Sequence, residues 1–441
     1  MLPRAISGSL DRLGQPCLLR PISDKALTGE GLPRPDLLSG IDRLLIEHAS
    51  REAADFAIPH RLPCPVAYGD RWRLVSSLQK AIRRGDIAAA TVAALACYEV
   101  DDRYLWRRLV VIAVEDVLLG NLYAVALTLA LAGNRRARED LGGARAATWI
   151  AAQLAGGLKD RSACNLCVLV DLNRQLNGRM EMWKHRPDDM LAVFASELDR
   201  PIEHRMLAAW LLAGTKRFWN INVPTDNDRP RWSLMRLMAE SRMPLILYWI
   251  ADRAAVRGGG CMFVATLPLW QELERAQDQD FTVRTEAITG QQRFGPILAP
   301  AYDMHTREGR RALRQFGELP AVADALSSTT CSKTRFDLLC EAVFAVEGGK
   351  LDRRLSAAVI DHCHERAAAL PLSYFGLPRA QQQAQLLCTV GSTLPRLSDL
   401  RAKAIAAERP GDPFGSVDFQ ALLRPPLMAS STTPSQLDLK L

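Results

Sequence analysis

The chain reads as a mostly α, multi-helical protein, and three observations predict it. From Asp70 to about Leu176, Ala and Leu recur every three or four positions. The same stretch has almost none of the β-branched alternation a strand needs. Its short connections, such as Gly85-Asp86, carry helix-ending and helix-capping residues. With 441 residues, 48% hydrophobic and 24% charged, the chain is long enough for two or three domains and a large core.

Taken in order, residues 1–36 are rich in Gly, Pro, Arg and Ser with little periodicity, so an extended N-terminal arm is expected there. Pro35 suits the first turn of a helix from Asp36 to Phe56, where Leu37, Leu38, Ile41, Leu44 and Leu45 recur at helical spacing. Pro59, Pro63 and Pro65 make 57–68 a rigid link. Helices are expected near 72–84, 86–97, 101–119, 121–133 and 144–156, with a further helical run at 160–176. They complete a first helical domain at 37–180. A second helical region, 181–405, opens with a block from Pro187 to Ala255, and Asn222 to Pro230 is a polar turn. Residues 256–305 are less regular. Gly258, Gly259, Gly260 and the run Cys261 to Trp270 leave room for irregular structure and one short strand. Helices return near 306–316, 319–327, 334–346, 351–370 and 377–389, and 406–441 reads as a flexible tail.

Net charge is +7, from 56 Lys and Arg against 49 Asp and Glu, which permits contact with nucleic acid or an acidic partner without demanding it. The 10 cysteines are scattered and do not form a disulfide framework, so a reduced, cytoplasmic setting is expected. The opening residues lack a signal peptide's apolar core, and the longest apolar runs, such as Asn121 to Gly133, are too short to span a bilayer. No membrane association is expected.

Arg107 and Arg108 precede an apolar run that ends in Glu115 and Asp116. Arg108 and Glu115 share a helix face but stand seven residues apart, roughly 10 Å along the axis. These four residues are expected to form structural ion pairs with neighbouring helices, since buried carboxylates need partners. Lys80, Arg83 and Arg84 sit near a helix C-terminus, where the macrodipole favours cations. With Arg135, Arg136, Arg307, Arg310 and Arg311 they are candidates for nucleic-acid contact, against the simpler reading of solvated charge.

The segment Ala301 to Leu313 holds the candidate catalytic pair, Asp303 and His305, ahead of Thr306 as a helix cap; Asp303 would orient His305 as a base. The simpler account is a capped helix with a local Asp–Arg bridge. Cys164 and Cys167 have ligand-like spacing, and the run His362-Cys363-His364 would complete a zinc set. The cysteines lie in an apolar helical run, however, and the histidines point about 200° apart on a helix. No metal and no cofactor are expected. Gly348-Gly349-Lys350-Leu351 lacks the earlier glycine and the Ser or Thr of a phosphate-binding loop.

The segments Leu74 to Arg83, Asp86 with its Ala-rich helix, Trp106 to Val110 and Ile112 to Val117 resemble the C-terminal helical region of the RarA/MgsA family of clamp-loader-like AAA+ ATPases, with a weaker echo at Gly142 to Asn165. The resemblance covers roughly residues 70–165 and leaves out the ATPase domain. It implies a clamp-loader-tail-like helical domain, self-association into a homo-oligomer, and a place in DNA replication, repair or maintenance. The expected function is a non-catalytic scaffold or accessory protein whose partners are DNA or a replication or repair protein. The alternatives are an enzyme acting on a phosphorylated nucleotide or nucleic acid through Asp303, His305 and neighbouring arginines, and a protein-binding structural or defence-related module.

Overall fold

The structure is a computed structural model that describes residues 2–59, 71–214, 232–258, 262–288, 292–327 and 332–408. It is mostly α and multi-helical, and its short strands form two-stranded antiparallel ribbons. Most of the Pro-rich link, the turn at 222–230 and the tail beyond 408 lie outside the described residues. Among the described residues, no helix is long and apolar enough to cross a membrane.

The helix Pro35–Glu52 begins on its proline. The helix Arg71–Arg83 packs on the long helix Ile87–Ile112, which packs in turn on Gly143–Gly156. Gly85 makes the first connection tight. It sits at φ 68°, in the left-handed region, and a Cβ there would lie 2.7 Å from Asp352 Oδ2. Asp86 then caps the next helix by accepting the Ala89 amide at 2.9 Å. The helices expected at 86–97 and 101–119 share one axis. Asp101 breaks it with extended backbone and restarts it by accepting the Tyr104 amide at 2.9 Å. The helix Leu122–Ala132 is buried from Leu122 to Leu131, which explains its uniformly apolar sequence.

Residues 2–36 are not an extended arm. They form short helical turns and bury Leu2, Ile6, Leu10, Leu13, Leu18 and Ile22. These residues recur at steps of three to five, a stripe that the surrounding Gly and Pro obscured. The segment is also tied by backbone hydrogen bonds, from Ile22 to Met243 and from Leu245 to Arg20.

No core boundary falls at 180. The larger apolar cluster runs from Leu2 to Ile405, and a smaller one lies between Ala312 and Ala404. The helix Ser162–Asp171 packs on Ala358–Tyr374, joining the two expected regions through one interior. The smaller cluster is built from Arg307–Gly317, Pro320–Ala325 and Ser332–Val343 against the last helix, Ala380–Glu408.

Within 256–305 the described residues are more regular than expected, while Gly259, Gly260 and Cys261 lie outside them. Met262–Ala265 is a 3-10 turn leading into the helix Thr266–Arg275. The strand Thr282–Thr285 pairs with Arg353–Ser356, so the expected helix at 351–370 starts only at Ala358. A hairpin joins Arg293–Phe294 to Ile297–Leu298 through Gly295, at φ 62°.

Candidate functional site

Two π-turns face each other across Arg83. The long helix ends in the wider turn Ala113–Val117, which carries Glu115 and Asp116, and the helix Ser332–Val343 ends in Phe344–Gly348. Such turns re-aim side chains and recur at functional sites. Arg83 donates from Nε to Asp116 Oδ1 at 2.8 Å, from Nη2 to Glu115 Oε1 at 3.1 Å and from Nη1 to the Gly348 carbonyl at 2.9 Å. Arg161 lies 3.3 Å from Asp116 and 3.5 Å from Glu115. The Phe344 ring lies under both guanidiniums, 5.4 Å from Arg83 and 5.1 Å from Arg161. Gln79 completes the shell by donating to Asp116 Oδ2 at 2.8 Å.

Burial of Asp116 opposes its charge, but Arg83, Arg161 and the Gln79 amide outweigh that and hold its carboxyl below the usual range. Adjacent residues on an ordinary helix diverge too far to share partners. The wider turn lets Glu115 and Asp116 reach the same two arginines. The expected ion pairs thus exist for the acids, but with Arg83 and Arg161. Arg108 donates to Gln79 Oε1 at 3.3 Å instead, and Arg107 is exposed with its guanidinium 6.0 Å from the Tyr104 ring.

A second buried pair adjoins the first. Arg401 is fully buried, grips Glu347 with both Nη atoms at 3.0 and 2.8 Å, and donates from Nε to the Tyr302 carbonyl at 3.0 Å. Sequence reasoning missed Arg401 and Arg161. Arg401 lies in an Ala- and Leu-rich stretch with no local partner. The shared tripeptide Ala-Val-Glu at 113–115 and 345–347 is the one signal linking the two π-turns.

The candidate pair Asp303 and His305 is placed differently from expectation. Asp303 bonds Lys80 and accepts the Ser76 hydroxyl at 3.0 Å, and its other oxygen accepts the His305 backbone amide at 2.9 Å. Burial raises the Asp303 carboxyl, but the Lys80 ammonium pulls it below its usual range. The same burial lowers Lys80. The carboxylate therefore closes a turn and neutralises a buried lysine, and the His305 side chain stands exposed. Thr306 does cap Arg307–Gly317, accepting the Gly309 amide at 3.1 Å.

The eight nucleic-acid candidates separate. Lys80 and Arg83 are buried and already engaged, Lys80 by Asp303 and Arg83 by Asp116, Glu115 and the Gly348 carbonyl, so their charges are matched inside the protein. Arg84 donates to the Glu347 carbonyl at 3.3 Å, and burial lowers it to about 10. Arg135 and Arg136 are exposed, but pair with Glu139 and Asp140 one turn on. Arg307, Arg310 and Arg311 are exposed on one helix, joined by Arg314, which sequence reasoning missed although 307, 310, 311 and 314 have the spacing of a single helix face. Beneath that face Ala312, Leu313 and Phe316 are buried, and Glu308 pairs with Arg73 at 2.5 Å.

The cysteine and histidine candidates do not converge. The Cys164 thiol meets Arg161 at 3.5 Å and is pushed up to about 11 by burial and by Glu115. His362 turns to Glu203 at 3.3 Å and His364 to Glu286 at 3.4 Å.

Between the two π-turns, the helix Arg71–Arg83 and the 300–305 loop lies an open cleft of about 270 Å³. Compared with protein-family models, curated proteins and solved structures, the chain matches none.

Proposed function

We propose that this chain is a non-catalytic helical scaffold or accessory protein of DNA replication, repair or maintenance that self-associates and holds nucleic acid. The observation that carries the reading is the arginine face of Arg307–Gly317. Arg307, Arg310, Arg311 and Arg314 cover about two turns, roughly 10 Å of axis. Like charges at these spacings repel, and cations in a first helical turn oppose the macrodipole. A phosphate backbone relieves both penalties. The buried ionic centre supports the same reading, because its carboxylates are engaged by arginine and lysine and so serve architecture. The resemblance of residues 70–165 to a clamp-loader-like oligomerisation region suggests the setting. Cytoplasmic location belongs to the same proposal.

The enzyme alternative keeps one observation in its favour, since Asp303 and His305 both line the cleft. Turnover of a nucleotide that disappears in His305→Ala with folding intact would establish it.

The test of the scaffold reading is the native mass of the purified particle, with its bound contents identified. The expected result is an oligomer that carries nucleic acid at low salt and sheds it as salt rises, with no nucleotide turnover. A monomer free of nucleic acid at low salt would overturn it.

A further inference from the structure

The acids lining the cleft are each matched. Asp303 is bonded to Lys80, Glu115 to Arg83 and Arg161, and Glu347 to Arg401. Arg108 also lines the cleft, and among the described residues it meets no carboxylate. Among the described residues its one hydrogen bond is the 3.3 Å contact to Gln79, and its buried Nε meets no acceptor there. A half-buried guanidinium outside any ion pair can take an anion without breaking an existing one.

Beside it stands an aromatic wall. Trp72 is 47% exposed, an unusual position for so large an apolar surface. Its ring meets Tyr104 edge-on at 5.9 Å, and the Arg71 guanidinium lies 5.7 and 5.1 Å from the two rings. Trp72, Tyr104 and Arg108 all line one cleft, which is close to the lower end of small-ligand sites in size. An exposed indole beside a cation that has no carboxylate among the described residues fits a base and a phosphate.

We propose that this cleft binds a nucleoside 5′-phosphate, with Arg108 taking the phosphate, Trp72 stacking the base and Tyr104 bracing the indole edge-on. The source is either a free mononucleotide or the phosphorylated end of a strand. The inference does not rest on the arginine helix, because a strand held by Arg310 and Arg311 needs neither a 5′-phosphate nor Arg108.

The experiment is calorimetric titration of the full chain with adenosine 5′-monophosphate, adenosine, and a thymidine decamer with and without a 5′-phosphate. The monophosphate should bind at least tenfold more tightly than adenosine. Arg108→Gln should remove that preference, and Trp72→Ala should weaken both ligands. Arg396→Gln, on the exposed side of the last helix, should change nothing. Each variant's thermal melt confirms folding. If only the decamer binds, with a preference for its 5′-phosphate that Arg108→Gln abolishes, the occupant is a strand end and the proposal stands. No binding by either phosphorylated probe, or undiminished binding in folded Arg108→Gln, overturns it.

Discussion

In the ionic centre, Arg83 and Arg161 lie buried between Glu115, Asp116 and the ring of Phe344. On the helix Arg307–Gly317, four arginines stand exposed on one face above a buried apolar one. The residue type is the same and the carboxylates within reach decide the role. Where two acids and a carbonyl converge, the guanidinium fixes the register of three chain segments. Where the face meets water, no carboxylate among the described residues pairs with it, and the charge stays at the surface. Glu308, on that same helix, points the other way and is consumed by Arg73.

The largest expected effect breaks the buried side of this comparison. Asp116→Ala leaves Arg83 and Arg161 short of their shared partner in a dry interior, and should cost about 3–5 kcal/mol in chemical denaturation. A loss below about 1 kcal/mol would mean that water or Glu115 compensates. The pH dependence has a definite sign. The Asp116 carboxyl is depressed in the folded state, so its contribution is complete above its ordinary value and is lost as pH falls through the folded one.

A smaller effect sharpens the comparison at Lys159, a buried cation held by carbonyls. It donates to Ala155 at 2.8 Å and to Gly157, and burial, with Arg353 adding to it, lowers its ammonium to about 7. The unfolded chain keeps this proton up to 10.5 while the folded chain releases it near 7, so stability should rise with pH across that window. Lys159→Met should flatten this rise and stabilise the neutral-pH protein by an amount on the order of a few kcal/mol. Matching pH profiles for the two proteins in urea titrations would show that Lys159 is not desolvated as described.

Much of the fold was legible because it is local. Helical spacing, the Gly85-Asp86 connection, the Pro35 start and the Thr306 cap depend on residues within one turn, and each has its expected place. The site was less legible because its bonds span the chain. Lys80 and Asp303 are 223 positions apart, and Arg83 and the Gly348 carbonyl 265 apart. A basic run such as Lys80 to Arg84 looks the same in sequence as Arg307 to Arg311. Only the packing of the helix Arg71–Arg83 shows that Lys80 and Arg83 are consumed internally. The burial of residues 2–36 was hidden for another reason. Their apolar stripe is carried by short turns, whose spacing drifts between three and five.

The most direct test of the central claim is the salt dependence of nucleic-acid affinity, measured for the wild-type chain and for the Arg310→Glu, Arg311→Glu double variant. The exposed arginines should supply phosphate contacts, so the variant should bind at least tenfold more weakly and lose roughly one to two units of the log–log salt slope, with its melting temperature preserved. Equal affinity and equal slope in the two proteins would contradict the division between structural and surface arginines drawn here.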